Sequence, residues 1–321
     1  MTTPRSLTRR RVLGASAAGL TAAAAAGVTS TASSDPASDG KGKDLETEVT
    51  LRWLGNNAWE ISGEAAAVLI DPWLTRFHTG TYTDDGPDPN TEIVSDPEKI
   101  DPHVDRADLI LTTHGHFDHL PDIPYIAGKT GATIVGSESH LNMLRALGAP
   151  EDQMSTVRGG EFFQFDGYTV EVFRCVHSHV GSRRQLPFPG TRPAAPPDPA
   201  PRVISELVEG ETLAYLVTMG DVQIIDFGSS NFITREIDGL WPHVALVQPG
   251  GAHTPEYVPR LMSALGNPRY VVPTHWDDFD EPLTEPAVDW GGLDALRDAV
   301  AQASPDTEFV VVDHLETFTP H

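Results

Sequence analysis

The sequence predicts an α/β domain in which two sheets pack together under outer helices. Three observations carry that expectation. Short β-prone runs occur in both halves of the chain from Glu48 onward, helix-like runs lie between them, and several apolar runs end directly on a histidine or aspartate that opens a loop.

In chain order, Val49–Leu54 and Ala67–Ile70 are β-prone, and Ile70 leads into the turn Asp71-Pro72-Trp73. Asp108–Thr113 is a buried-strand run ending on His114, and Ala132–Val135 is the next strand. Leu141, Leu144 and Leu147 recur every three residues and stop at Gly148, which marks a short helix. Phe162–Phe165, Thr169–Val176, Thr212–Thr218 and Val222–Phe227 are strands, the last two turned into a hairpin by Gly220-Asp221. Alternation then returns with strand Val244–Val247, a helix near Pro259–Leu265, strand Tyr270–Val272, a helix near Leu293–Ala301 and strand Phe309–Val312. Between Arg183 and Arg202 stands a loop with seven prolines from 187 to 201, too many for a helix or a central strand. It reads either as a semi-rigid flap beside a site or as a surface insertion.

The 321 residues suffice for one large α/β domain or two small ones. The net charge is −24, and the first 32 residues carry Arg5, Arg9, Arg10 and Arg11 with no acid, so removing them leaves −28. Such a surface repels phosphate backbones, and no nucleic-acid partner is expected. The single cysteine, Cys175, forms no intramolecular disulfide and reads as a buried, inert thiol.

The N-terminus points to export. Thr8-Arg9-Arg10-Arg11-Val12-Leu13 sets a twin arginine before an alanine-rich stretch from Val12 to Val28, and Ser30-Thr31-Ala32 fits a signal-peptidase site. Ala24-Ala25-Ala26 is a competing cut, and a merely helical or disordered tail is the plain alternative. Gly14, Gly19 and Gly27 leave the stretch too weakly apolar for a stable membrane anchor. The expected organisation is a twin-arginine signal peptide at 1–32, a linker at 33–47 and one hydrolase-type domain at 48–321. Its partners during export are the twin-arginine translocase and signal peptidase, and its place is secreted or extracytoplasmic.

His114-Gly115-His116-Phe117-Asp118-His119 puts four ligand-type side chains into six residues, directly after an apolar strand. A strand end entering a tight loop, with Gly115 permitting the turn, aims alternate side chains at one point. Imidazoles with a carboxylate suit zinc, with manganese or iron as alternatives.

This run resembles the HxHxDH signature of the metallo-β-lactamase superfamily, over roughly residues 48–313. Trp53-Leu54-Gly55 and Leu69-Ile70-Asp71-Pro72-Trp73 look like the branch of L-ascorbate-6-phosphate lactonase-like hydrolases. The resemblance implies an αββα sandwich with metal at the strand ends along one edge. It implies that His114 and His116 bind a first ion with a downstream histidine, and that Asp118 and His119 bind a second with a histidine near the end. His177 closes an apolar strand and is the choice for the former over His179, and His275 fills the latter place. The aspartate that bridges both ions in the superfamily aligns with Ser229, and Asp226, three residues earlier, replaces it only if the strand is shifted. One ion, or a weak second one, follows from the serine.

A bound dication lowers the pKa of its water to about 7, so the implied chemistry is attack by metal-bound hydroxide, with Asp118, if it does not ligate, orienting it and taking its proton. The segment Pro249-Gly250-Gly251-Ala252-His253 resembles a glycine loop near the site, which makes His253 a candidate acid or substrate contact against a solvent-exposed loop histidine. Trp73, Trp276 and Phe188 are expected around the mouth, where aromatic walls favour a small-molecule lactone or ester. Arg183-Arg184 is the only basic doublet near these motifs, so a phosphate clamp is not announced. The alternatives are phosphodiester or β-lactam hydrolysis on the same fold, and a non-catalytic secreted metal-binding protein.

Overall fold

The protein is described by a computed structural model over residues 48–321. The twin-arginine segment at 1–32 and the linker at 33–47 lie outside the described residues. No described helix is long and apolar enough to cross a membrane.

The first half supplies β1 (Thr50–Trp53), β2 (Trp59–Ser62), β3 (Ala67–Ile70), β4 (Leu109–Leu111), β5 (Thr133–Gly136) and β6 (Met154–Thr156). The second half supplies β7 (Phe162–Gln164), β8 (Tyr168–Arg174), β9 (Leu213–Met219), β10 (Val222–Asp226), β11 (Val244–Val247), β12 (Tyr270–Pro273) and β13 (Glu308–Phe309), followed by β14 (Thr317–Phe318). They form two seven-stranded sheets, ordered β14-β1-β2-β3-β4-β5-β6 and β13-β12-β11-β10-β9-β8-β7. In both sheets an antiparallel ribbon passes into parallel strands: β3 pairs β4 in parallel, and β10 pairs β11 in parallel.

Alternation along each strand sorts its residues to two faces. In β3, Val68 and Ile70 enter the core shared by the sheets, while Leu69 faces outward under helices. Burial on both faces makes such strands read as continuous apolar runs. The shared core sets Trp53, Trp59, Leu109 and Leu111 against Val170, Val172, Val217 and Leu246. Helices α1 (Pro97–Ile100), α2 (Ile123–Thr130) and α3 (Glu138–Ala146) cover the outer face of the first sheet through Ile100, Ile126 and Leu144. Helices α4 (Thr234–Ile237), α5 (Tyr257–Ala264) and α6 (Leu293–Ala303) cover the second through Ile237, Leu261 and Leu296. The layers run α, β, β, α.

Most expected elements stand within a few residues of their sequence positions. β13 is shorter than the run Phe309–Val312 suggests, and β2, β6, β14, α1, α2 and α4 are additional to the expected set. Helix α2 is hard to read because Pro124 and Gly128 interrupt it, and Pro is tolerated there only because it lies at the helix start. The loops after β3, β4, β8, β10, β11 and β12 carry the candidate site residues, except Asp226, which ends β10.

Candidate metal centre

Strand β4 delivers the His114–His119 loop, and cross-sheet bonds fix where it emerges. Thr113 donates its amide to Asp71 Oδ1 at 2.8 Å, and its carbonyl accepts the Leu213 amide at 2.8 Å. Tyr215 of β9 crosses the inter-sheet core to donate its hydroxyl to the Thr112 carbonyl at 2.8 Å. Gly115 is required for space: a Cβ there would lie 2.2 Å from the Val208 carbonyl oxygen and 2.4 Å from Met143 Cε. Close approach, and not a left-handed turn, is what this glycine provides.

Two overlapping ligand groups result. One ligand atom from each of His114, His116 and His177 lies within 4.8 Å of the others, and the same holds for His114, Asp118 and His119. Each imidazole has one nitrogen committed to a protein oxygen. His114 Nδ1 donates to Thr113 Oγ1 at 3.2 Å, His116 Nε2 to the Pro187 carbonyl at 2.9 Å and His177 Nδ1 to the Ser178 carbonyl at 2.7 Å. His119 Nδ1 donates to Asp71 Oδ2 at 2.7 Å, and the same oxygen accepts the Thr113 hydroxyl. The second nitrogen of each ring is thereby left as a lone pair, the arrangement that orients histidine ligands on a metal. His275 Nε2 stands 3.1 Å from Asp118 Oδ2, on the Asp118 side of the cluster.

The electrostatics call for a cation. Burial, reinforced by neighbouring imidazoles, holds His114 well below its ordinary value and brings His116 to about 3 and His177 to about 4, so all three stay neutral. Burial opposes charge on His119 as well, yet the Asp118 and Asp71 carboxylates beside it win and raise it to about 10. Burial would raise Asp118, but His119 and His275 hold it well below the ordinary carboxylate range. His119 Nε2 is buried without a hydrogen-bond partner, 3.5 Å from Asp118 Oδ2. A metal ion at that nitrogen supplies the positive charge that a proton otherwise would, and the donor set fits a divalent transition metal.

A family model for a β-lactamase superfamily domain matches residues 50–238. The UPF0173 metal-dependent hydrolase of Methanopyrus kandleri is 38% identical over 280 residues, covering 84% of this chain and 98% of the relative. The chain belongs to the UPF0173 metal-dependent hydrolases of the metallo-β-lactamase superfamily. The UPF0173 metal-dependent hydrolase of Myxococcus xanthus is 29% identical over 280 residues, 84% of each chain. Igni18, a metallo hydrolase from Ignicoccus hospitalis, shares the fold with a TM-score of 0.56 at 21% identity, covering 85% of this chain and 98% of that one.

Within this UPF0173 hydrolase the structure brings five sequence-predicted histidines and Asp118 together: His114, His116, His119, His177 and His275. His179 lines the same cavity but is outside both ligand groups. Ser229 also lines the cavity, accepting the Ser178 amide at 2.9 Å and donating to Ser178 Oγ at 3.1 Å. Asp226 is buried behind the site: its Oδ2 accepts Asn57 Nδ2 and the Gly228 amide, each at 3.1 Å, and its Oδ1 has no partner. Burial, with Asp71 nearby, pushes Asp226 up to about 7. His253 lines the cavity, its carbonyl held by Arg184 at 2.9 Å.

Two expectations about the mouth are corrected. Trp73 is fully buried, wedged edge-on between Phe77, Phe117 and Phe279. Trp276 is buried and stacked on Trp53 with centroids 5.0 Å apart. Phe188 does line the cavity, alongside Tyr82, Phe117, Phe279 and Trp290. The proline-rich loop is a wall of the site, tied to it through Pro187 and Phe188.

Sequence reasoning missed the residues that hold the ligands. Asn57 donates Nδ2 to both Asp71 (2.9 Å) and Asp226 (3.1 Å), while its Oδ1 accepts from Gln248 and Thr274, each at 3.2 Å. Asn56 donates Nδ2 to the Asp118 carbonyl at 2.7 Å and accepts the His275 amide on its own carbonyl at 2.8 Å. The asparagine pair after Gly55 was the available signal, since Asn tolerates left-handed backbone and Asn56 has φ +50°.

Proposed function

We propose that the chain is an exported zinc hydrolase of a lactone or ester, with manganese or iron as the alternative metal. The observation that carries this reading is the set of four imidazoles, each with one nitrogen spent on a protein oxygen, that fall into two ligand groups sharing His114, one of them with Asp118. His114, His116 and His177 would hold one ion, and Asp118, His119 and His275 a second. When bound, such an ion acidifies water and polarises a carbonyl oxygen.

The chain's own groups supply the rest. Where a second ion is absent, Asp118 would take the proton of the attacking water, and Asn56 fixes the backbone from which that carboxylate projects. His275 Nε2, 3.1 Å from Asp118 Oδ2, could then pass that proton on, whereas with a second ion bound both groups are its ligands. His253, which lines the cavity, would contact the substrate or protonate a leaving alkoxide. A weak or missing second ion fits Ser229, which brings a hydroxyl where a carboxylate would hold two cations.

The test is a panel of lactones, aryl esters, phosphodiesters and β-lactams offered to the metal-loaded protein, with elemental analysis of wild type and His116→Ala. Lactone or ester turnover that falls with the metal content is expected. Full metal content in His116→Ala, or turnover confined to phosphodiesters, rejects the reading.

A further inference from the structure

The cavity above the ligand cluster has a volume of about 600 Å³, and its two sides differ in kind. One side is a continuous arc of five rings. Phe188 meets Phe117 at 5.9 Å, Phe117 meets Phe279 at 6.2 Å, Phe279 meets Tyr82 at 5.0 Å, and Tyr82 stacks on Trp290 at 6.4 Å. The arc touches the candidate ligands at two points, Phe188 lying 6.0 Å from the His116 ring and Phe279 lying 5.7 Å from the His275 ring. A flat group seated on the arc is therefore held beside the reacting centre.

The opposite side is small and polar. Ser229 donates to Ser178 Oγ, which leaves the Ser178 hydroxyl hydrogen free for a ligand oxygen, and Ser230 Oγ accepts the Gly251 amide at 3.0 Å. Among the described residues lining the cavity there is no lysine or arginine, and Asp118 is the one carboxylate. Arg184, at the base of the proline-rich loop, is exposed outside this lining and gives one guanidinium N–H to the His253 carbonyl at 2.9 Å. An anionic group carried away from the reacting centre would lose its water here and gain no cation in return, which is a steep cost.

We propose that the substrate is uncharged outside its reacting group and carries an aryl or similarly flat apolar substituent seated on the Phe188–Trp290 arc. This rests on the hydrolase reading above and narrows it. A phosphorylated sugar lactone, the substrate type suggested by the lactonase-like sequence motifs, finds no partner for its phosphate. The reacting carbonyl lies between the ligand cluster and the Ser178 hydroxyl, and the aryl group turns away from the polar side. Phe188 sets the specificity. It is an accessible end of the arc, and its backbone, at φ +33°, is fixed by Glu209, whose amide donates to the Phe188 carbonyl at 3.0 Å. A non-glycine residue kept in that strained region is a pointer to function.

Two measurements on the metal-loaded full chain test this. The first compares γ-butyrolactone with its γ-phenyl derivative and with a ring-sulfonated γ-phenyl derivative. The phenyl lactone should show kcat/KM at least about tenfold above both others, mainly through KM, and Phe188→Leu should shrink that preference to about threefold or less. The second needs no turnover: calorimetric binding of acetophenone, acetone and 4-sulfoacetophenone. Acetophenone should bind at least about tenfold more tightly than either. Equal binding of the sulfonated ketone, or no preference of acetophenone over acetone, overturns the proposal whatever the turnover. Selective acetophenone binding without cleavage of any lactone or ester leaves the proposal standing and removes the lactone or ester reading. Trp290→Leu, at the other end of the arc, repeats the test if Phe188→Leu does not fold, and an unchanged aryl preference in both variants rejects the assignment of the arc.

Discussion

Replacing Asp277 by asparagine tests whether the loop bearing His275 is held by a buried charge. Asp277 Oδ2 accepts Arg76 NH1 at 2.7 Å and His314 Nε2 at 2.8 Å, and the Asp277, Arg76 and His314 side chains are 0%, 1% and 2% exposed. Its Oδ1 accepts the Asn56 amide at 2.9 Å, and Asn56 in turn accepts the His275 amide at 2.8 Å. Burial works against the Asp277 charge, but His314 and Arg76 overcome it and bring the carboxyl down to about 2 from 3.8. That gap is worth about 2.5 kcal/mol at roughly 1.4 kcal/mol per pH unit. Asparagine also strands the Arg76 guanidinium in the interior, and breaking a buried pair by removing one partner costs about 3–5 kcal/mol. We expect Asp277→Asn to lose about 3 kcal/mol at pH 7, read from urea unfolding of chelator-treated protein.

The pH dependence carries a definite sign. A carboxyl with a depressed folded-state pKa adds stability that is complete above 3.8 and disappears as pH falls through about 2. The gap between wild type and variant should therefore narrow below about pH 4, while other acid-sensitive groups, present in both proteins, cancel in the difference. A loss under about 1 kcal/mol at pH 7, or a gap that widens on acidification, refutes the reasoning.

Asp118→Ala should cut turnover by about 10²-fold or more while elemental analysis still finds the ion of His114, His116 and His177; substantial residual activity removes Asp118 from the chemistry. Ser229→Asp should tighten the weaker step of a metal titration, whereas Asp226→Asn should leave the titration unchanged; the reverse pattern would make Asp226 the shared ligand. Burial and Asp71 raise Asp226 from 3.8 to about 7, so folded chains hold that proton where unfolded ones release it, and metal-free wild type should lose stability relative to Asp226→Asn as pH climbs from about 4 to about 7. Urea midpoints for the pair at pH 4 and pH 8 check the sign. Replacing Arg9 and Arg10 by lysine should leave the precursor in the cytoplasm, and unchanged secretion of that double variant rejects twin-arginine export.

The sandwich was legible in the sequence because strands covered on both faces must be apolar throughout, as Ala67–Ile70 and Val244–Val247 are. The ligand run was legible for a different reason: four donors within six residues leave little else for a strand end to do. His177 and His275 are isolated in sequence, and only their place at the end of an apolar strand marked them. Asn57 and Asp277 had no such mark. Asn57 meets Asp226 across 169 positions and Asp277 meets Asn56 across 221, so their function exists only after the two sheets have packed. Two of the elements overlooked fail for local reasons, α2 through Pro124 in its first turn and Gly128 within it, and β6 through the polar run Met154-Ser155-Thr156.

Bends at the strand ends account for both buried tryptophans. On an extended chain successive side chains point to opposite faces, and residues two apart share one. His275 lies beyond β12 at φ +54° and lines the cavity, and the bend there carries its neighbour Trp276 away from the mouth to stack on Trp53 in the core. Trp73 is two residues from Asp71 and would share its side in a regular strand. Asp71, however, has φ +42°, and Asp122 captures the amides of Leu74 and Thr75 at 2.7 Å each. The chain bends there, Asp71 faces His119, and Trp73 is driven among Phe77, Phe117 and Phe279. Adjacency to a ligand thus does not by itself decide a place at the mouth: Trp276 and Trp73 turn inward, whereas Phe117, between His116 and Asp118, lines the cavity. Residues on segments that cannot join a sheet are the better choice, and Phe188, inside a loop with seven prolines, is such a residue.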